Sequence, residues 1–411
     1  MPADLKINRP CSSFIKVLWG LFLFPICCFS QSTITGKVIN AADKTPVGYA
    51  TVFLNNTMVA TRTADDGTFS LINVRTGQYD LVVSFVGFET HHQNLSITGA
   101  NINLPVIELA PKIKQLKEVR IGPPDPHRNE YLDVFTREFI GTSANAQQCK
   151  ITNPDVIDIS YDASNRTLNA SSDDFLVIEN KALGYKIRYQ VNKFVKAYSQ
   201  NFTYYEGPVV FEEMTGSPAQ TRKWIKSRQD VYKSSDMHFL RTLFTGQLEQ
   251  EGFKVMKLIK KPNPARPPDS LIKAKIREFN RSPALHPGWR DSSDYWMQKA
   301  GLPKIVEYLV TKPLGINDFV TKTTNTDQLA LYYTDYLYVM YTKKRDLAGN
   351  SKVYHPLDIP NYPTTVVALN SKYAVFDKNG IFADPASTTY DGAWGEYKVA
   401  EMLPEDYTPT P

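Results

Sequence analysis

The sequence predicts a mainly β chain of α+β type: a small N-terminal β-sandwich followed by a larger α+β domain. Three observations predict it. Residues 31–111 alternate apolar and polar side chains between closely spaced turn residues, as strands with one buried face do. Beyond them, stretches with helical spacing interrupt stretches that alternate with period two. The chain has 411 residues, more than one ordinary domain holds, and its 42% hydrophobic and 22% charged residues exclude wholesale disorder. The 23 Tyr and 21 Phe add to the strand signal.

Residues 1–30 stand apart. Lys6, Arg9 and Lys16 precede an apolar run from Val17 to Phe29 that stops at Ser30-Gln31. A basic start, an apolar middle and a small-residue exit predict a signal peptide cleaved between Ser30 and Gln31. The run has 13 residues, short of the roughly 20 that span a membrane, which counts against a retained anchor. Pro25-Ile26 before Cys27 likewise fits a lipid-anchored start at Cys27 or Cys28 poorly. The segment carries two net positive charges, so removing it lowers the formal charge from +5 to +3. Near-neutrality of that kind implies no nucleic-acid partner. Of four cysteines only Cys149 remains; one thiol makes no internal disulfide, and Cys149 reads as a small core residue.

From Thr33 to Pro111 the strands follow in order. Ile34, Gly36 and Val38 share one face, as do Ala50, Val52 and Leu54; Phe69 and Leu71 follow the Asp66-Gly67 turn. Tyr79, Leu81, Val83 and Phe85 form the longest inward row, and Ile102, Leu104 and Ile107 a last one. Strands at this spacing with no helix between them predict a sandwich.

These residues carry a family resemblance. The runs ITGKVINAADKTPVGYATVFLNNT and TRTADDGTFSLINVRTGQYDLVVSFVGFET resemble the carboxypeptidase regulatory-like domain, which implies a transthyretin-like β-sandwich. The match spans about eighty of the 411 residues. Residues 112–127, KIKQLKEVRIGPPDPH, read as a Pro-rich connector, and LKEVRIG is similar to the segment that follows this module in TonB-dependent outer-membrane receptors. The rest of the chain is too short for a plug and a many-stranded membrane barrel, so the resemblance implies the cell envelope and not receptor function. Further on, REFIGTSANAQQCKITNP, FLVIENKALGYKIRYQV and GAWGEYKVAEMLPEDY resemble Gram-negative envelope proteins that carry this module at their start.

Residues 128–411 read as one α+β domain. Tyr131, Val134, Phe135 and Phe139 have helical spacing over Asn129–Ile140. Four strands are expected as a meander, over Val156–Tyr161, Thr167–Ala170, Phe175–Asn180 and Tyr185–Tyr198. Ala219–Leu248 reads as two amphipathic helices, Lys260–Pro268 as a loop or sub-boundary at 260–270, Leu329–Tyr341 as a Tyr-rich strand, and Tyr354–Phe382 as two or three more strands.

The candidate sites are few. His127 and Glu130 form an HxxE pair of the kind metallocarboxypeptidases use on zinc with a distant third His. Pro126 and the apolar spacing after it favour a plain helix start instead. In those peptidases, moreover, the regulatory-like domain follows the catalytic one. His91-His92 reads as an exposed pair, and Asp173-Asp174 and Glu212-Glu213 as solvated carboxylates at turns or strand starts. There is no GxSxG elbow, phosphate loop or GxGxxG. Arg222, Lys223, Lys226, Arg228, Lys233 and Arg241 read as the solvent face of the two helices, with Arg222, Lys223, Lys226 and Arg228 able to touch an anionic outer-membrane surface. Tyr332, Tyr333, Tyr336, Tyr338 and Tyr341 offer rings for sugars, but period two puts Tyr332, Tyr336 and Tyr338 on one face with Thr334, so half the row is expected in the core.

No catalytic residue and no cofactor follow from these residues. The expectation is a non-enzymatic binding or scaffold protein of the periplasm or outer membrane, its partner an envelope protein or glycan and its sandwich a docking module. A hydrolase is the alternative.

Overall fold

A computed structural model describes residues 32–112, 125–200, 202–281, 289–346 and 353–410. The signal segment, the Ser30-Gln31 junction and most of the connector lie outside them. The N-terminal strands are β1 (Ser32–Asn40), β2 (Thr51–Leu54), β3 (Ala60–Arg62), β4 (Thr68–Val74), β5 (Gly77–Ser84), β6 (His91–Ile97), β7 (Ile102–Asn103) and β8 (Ile107–Leu109). They form two sheets, one with β1 between β4 and the parallel strands β7 and β8, the other in the order β3-β2-β5-β6. Ile34, Val38, Val52, Leu71, Leu81 and Val83 close the core between them. Gly36 lies opposite Phe69, and a Cβ there would come within 2.7 Å of its ring; the glycine makes room for the aromatic. Phe85, expected to end the longest inward row, is only half-buried because its strand stops one residue earlier. The deeply buried ring is Phe53, which points away from the sandwich core.

The next unit starts with α1 (Arg128–Ile140) and continues through β9 (Cys149–Ile151), β10 (Ile157–Asp162), β11 (Thr167–Ser172), β12 (Leu176–Asn180), β13 (Tyr185–Tyr189), β14 (Lys193–Ala197), β15 (Phe202–Glu206) and β16 (Val209–Glu213). The expected meander is corrected: the strands split into two sheets, β10-β11-β14-β15 and β16-β13-β12-β9. The single strand expected over Tyr185–Tyr198 breaks at Gln190–Asn192, where the chain crosses between the sheets. Val191 donates its N–H there to the Ser172 side chain at 2.9 Å. Phe135 and Phe139 of α1 pack into the space between, on Phe194 and Tyr189.

Two helices follow, α2 (Pro218–Tyr232) and α3 (Asp236–Thr245), each started by a serine cap, Ser217 and Ser235. Then come β17 (Phe253–Pro262), α4 (Asp269–Arg281), α5 (Trp289–Gly301), β18 (Ile305–Val310), β19 (Val320–Lys322), β20 (Gln328–Leu331), β21 (Tyr336–Tyr341), β22 (Thr364–Leu369), β23 (Ala374–Asp377) and β24 (Thr388–Gly392). The larger sheet runs β18-β17-β21-β22-β24 and the smaller β19-β20-β23. The boundary reading at 260–270 needs correcting, since Lys260, Lys261 and Pro262 are paired with β18 and only the six residues to Pro268 form the loop. The Tyr-rich strand is also two strands: Tyr332 is exposed in the break between β20 and β21, while Tyr338 is fully buried.

The sandwich and the rest of the described chain meet in a closely fitted joint. Phe53 and Val82 of the sandwich pack on Val210 and Phe175, and Thr57 bridges Val210. The C-terminal segment ties the joint from the other side. Glu405 donates its N–H to Asn56 O at 2.7 Å, and Met58 N–H is accepted by the Asp406 carboxylate at 3.2 Å. Arg75 donates to Asp406 O and to the Thr408 hydroxyl, and Asp377 accepts from Gln78 N–H. Arg241 holds the segment in place, donating to Glu405 O, Tyr407 O and Asn379 O.

Candidate functional site

The expected metal pair is present as a pair and no more. His127 precedes α1 with its N–H bonded to Asp125, and its Nδ1 lies 3.2 Å from Glu130 Oε2, both side chains exposed. A catalytic zinc takes three protein ligands, and among the described residues no group of three His, Cys, Asp or Glu is placed to hold a metal. His91 and His92 lie on β6, where His92 pairs with Asp80 at 2.9 Å, a contact that raises its pKa above the usual histidine value. Cys149 is half-buried, and burial pushes its thiol up to about 12, which removes it as a nucleophile at neutral pH.

Asp173, Glu212 and Glu213 keep solvent-exposed side chains and also make ion pairs. Glu212 and Glu213 belong to β16 and pair with Arg188 at 2.9 Å and Arg228 at 2.6 Å; Asp173 receives Lys112 at 2.5 Å. Arg228 is the clearest correction. It is 8% exposed, lies flat on Tyr185 at 3.9 Å, and donates to Leu183 O at 2.7 Å and Gly184 O at 3.2 Å. The helical spacing puts it one turn from Trp224, on the packed face, so burial of its stem and an acceptor for each guanidinium nitrogen outweigh the preference of charge for water. Arg241 serves the joint. Arg222, Lys223 and Lys226 on α2, and Lys233 just past its end, keep the expected exposed face.

A cleft of about 340 Å³ draws together groups from three segments: His127, Glu130 and Tyr131 at the start of α1, Tyr161 on β10 with Arg166 after it, and Tyr198 at the end of β14. The rings succeed one another at even spacing. His127 and Tyr131 are 6.2 Å apart, Tyr131 and Tyr161 stack at 6.1 Å, and Tyr161 meets Tyr198 edge-on at 6.0 Å. Helix and sheet are fixed against each other by Arg128, which donates to Ile157 O at 2.8 Å, and by the Phe135–Phe194 contact. Tyr161 and Tyr198 are 40% and 39% exposed, enough to offer a face while their edges stay packed. None of the three phenol hydroxyls has a hydrogen-bond partner among the described residues. Such a site presents flat apolar faces with polar atoms at their rims, on rigid elements. Burial and the carboxylates of Asp125 and Glu130 raise the Tyr131 pKa, so its hydroxyl stays protonated and can donate.

Sequence reasoning placed Tyr131 on its helix but missed Tyr161, Tyr198 and Arg166 as a group. The available signal was that both tyrosines border turns, where a strand's alternation ends and an aromatic is no longer drawn into the core. The Tyr332–Tyr341 row, read as a sugar platform, is mostly core; Tyr332 does stack on Tyr373 at 5.1 Å on the surface. A second cavity of about 350 Å³ lies beside β17 and β21, where Lys257 is occupied by Thr334 at 3.0 Å and Asp335 at 2.7 Å.

Comparison with known families places a CarboxypepD_reg-like domain at residues 34–121. Solved structures similar to this chain include 5-hydroxyisourate hydrolase of Klebsiella pneumoniae, with 21% identity and a TM-score of 0.18 over 20% of this chain and 91% of that one. A type II cohesin–X-dockerin complex of Acetivibrio cellulolyticus matches with 21% identity and a TM-score of 0.18 over 19% of this chain. The match spans 56% of the length of that cohesin–X-dockerin chain. The pilus 2b backbone protein of group B streptococcus matches with 17% identity and a TM-score of 0.18, over 20% of this chain and 42% of that one. No curated protein matches.

Proposed function

We propose that this protein is an exported, non-enzymatic binding component of the cell envelope, and that the cleft between α1 and the β10–β14 sheet is its binding site for a saccharide. The row of four evenly spaced rings carries the reading. A sugar presents an apolar C–H face and a rim of hydroxyls, and the cleft answers with apolar ring faces and unpartnered phenol hydroxyls beside them. A row of rings suits several sugar units better than one. The sandwich, fixed by its joint, serves as a rigid base holding the cleft at a set angle. The basic start and apolar run of residues 1–30 support export with a mature chain from Gln31.

Probing the mature protein on an array of bacterial-surface and plant-cell-wall oligosaccharides, followed by calorimetry on the hits, tests the reading. Tyr161→Ala and Tyr198→Ala are each expected to weaken binding by about fivefold or more, since a stacked aromatic contributes roughly 1 kcal/mol beyond its buried area. A blank array, or hits that both variants bind at full strength, would remove the cleft from consideration. Intact-mass analysis of the same protein from envelope fractions reads the export claim, and a retained Met1 would end it.

A further inference from the structure

The cleft is electrically uneven. At one end stand Glu130, paired with His127, and Asp125 just before them. At the other stands Arg166, which lines the cleft next to Tyr198. The Arg166 guanidinium makes no hydrogen bond or ion pair among the described residues. The other charges near Tyr198 are already engaged: Arg137 reaches Glu138 at 3.8 Å, and Glu138 accepts from Lys196 at 3.0 Å and from the Thr203 hydroxyl at 2.7 Å. Among the described residues, Arg166 is therefore the one cation of this group left without a protein partner.

Its backbone is held in place. The Asp162 carboxylate accepts from Ser164 N–H at 2.9 Å, from Asn165 N–H at 3.1 Å and from Asn165 Nδ2 at 2.7 Å, which rigidifies the turn. Arg166 O then accepts from Tyr198 N–H at 3.1 Å, tying the arginine to the last ring of the row. Arg166 also takes a left-handed backbone, φ 54°, where a glycine or asparagine would sit with less strain. A long cation at that position is aimed by a fixed turn at the end of an aromatic row.

Resting on the saccharide reading above, we infer that the cleft selects an acidic saccharide, with one carboxylate seated on Arg166 and its neutral rings laid along Tyr198, Tyr161 and Tyr131. A guanidinium matches a carboxylate with two parallel N–H···O bonds, which a hydroxymethyl group cannot reproduce. The Glu130 end repels a second carboxylate, so the acid group marks one terminus and sets the direction in which the sugar lies.

Calorimetry with matched pairs tests this on the mature protein: cellobiouronic acid against cellobiose, and N-acetylglucosaminyl-N-acetylmuramic acid against di-N-acetylchitobiose. The acid member of a pair is expected to bind about tenfold tighter at low salt, from one charge-assisted contact, and to lose that margin as sodium chloride is raised. Arg166→Gln should erase the acid-to-neutral ratio and Arg166→Lys keep part of it, whereas Tyr161→Ala weakens both members together. Equal binding of acid and neutral sugars, or a ratio that survives in Arg166→Gln, overturns the acid preference and leaves the saccharide site standing. Array hits confined to neutral glycans do the same. No binding of any of the four, with a blank array, brings down the saccharide reading itself.

Discussion

Arg228 shows how one side chain changes sides between a sequence pattern and a packed protein. It was grouped with Arg222, Lys223 and Lys226 by charge, yet it lies against Tyr185 and closes off two carbonyls of the β12–β13 turn. The turn could not form with other residues in these places. Gly184 has φ +70°, and a Cβ on it would come within 2.2 Å of Trp224. Arg228→Met keeps the stem and removes the donors, leaving Leu183 O buried without a partner while Gly184 O keeps Met214 N–H at 2.9 Å; the expected cost is about 1–3 kcal/mol. Arg222→Ala, Lys223→Ala and Lys226→Ala, at exposed positions, should each stay within about 0.5 kcal/mol. Urea melts of the four variants decide it. A melt of Arg228→Met that matches wild type would return this residue to the surface group.

At the scale of elements, the sequence was legible where one physical rule acted alone. The sandwich strands, α1, α2 and α3 all stand close to where their spacing put them, because each has one buried face and a clear start or stop. Two rules in conflict made the misses. Residues 269–281 have the apolar spacing of a helix, with Ile272 buried, but the prolines before them read as a loop; Pro268 in fact opens α4, its carbonyl accepting from Ile272 N–H. The break at Gln190–Asn192 left only a one-residue slip of phase, from buried Tyr185, Ile187 and Tyr189 before it to buried Phe194 and Lys196 after it, within a stretch that otherwise reads as one strand. The cleft was illegible for a third reason. Tyr131, Tyr161 and Tyr198 come from three separate segments, and only the packing of α1 across its sheet brings them together.

For the molecule as a whole, the joint between sandwich and body carries a pH response. Half-buried Glu405 accepts from Asn56 Nδ2 at 3.1 Å, with Asp377, Asp406 and Asp236 nearby, and burial with these like charges pushes its pKa up to about 8. Arg75 and Arg241 face the same segment and donate to its backbone carbonyls. A folded chain that holds a proton the unfolded chain has already released is stabilised at low pH, so this contribution is lost as pH rises through about 8. Buried His238 is shifted down and acts with the opposite sign at lower pH. Between about pH 6.5 and 8 the carboxyl governs, and stability is expected to fall by up to roughly 1.4 kcal/mol per pH unit for one proton, the slope fading above about 8. Glu405→Gln, neutral and of equal shape, should flatten that slope in thermal melts; an unchanged slope would assign the pH response elsewhere.

The same joint also fixes an order of events. Asn56 and Glu405 are 349 residues apart in the chain, and closing so long a loop gains nothing until both surfaces exist. The sandwich and the body are therefore expected to take shape first and meet afterwards, with closure of the joint a late step of assembly. Until it closes, Phe53 and Val82 stand bare, and the chain is at its stickiest when it is nearly finished.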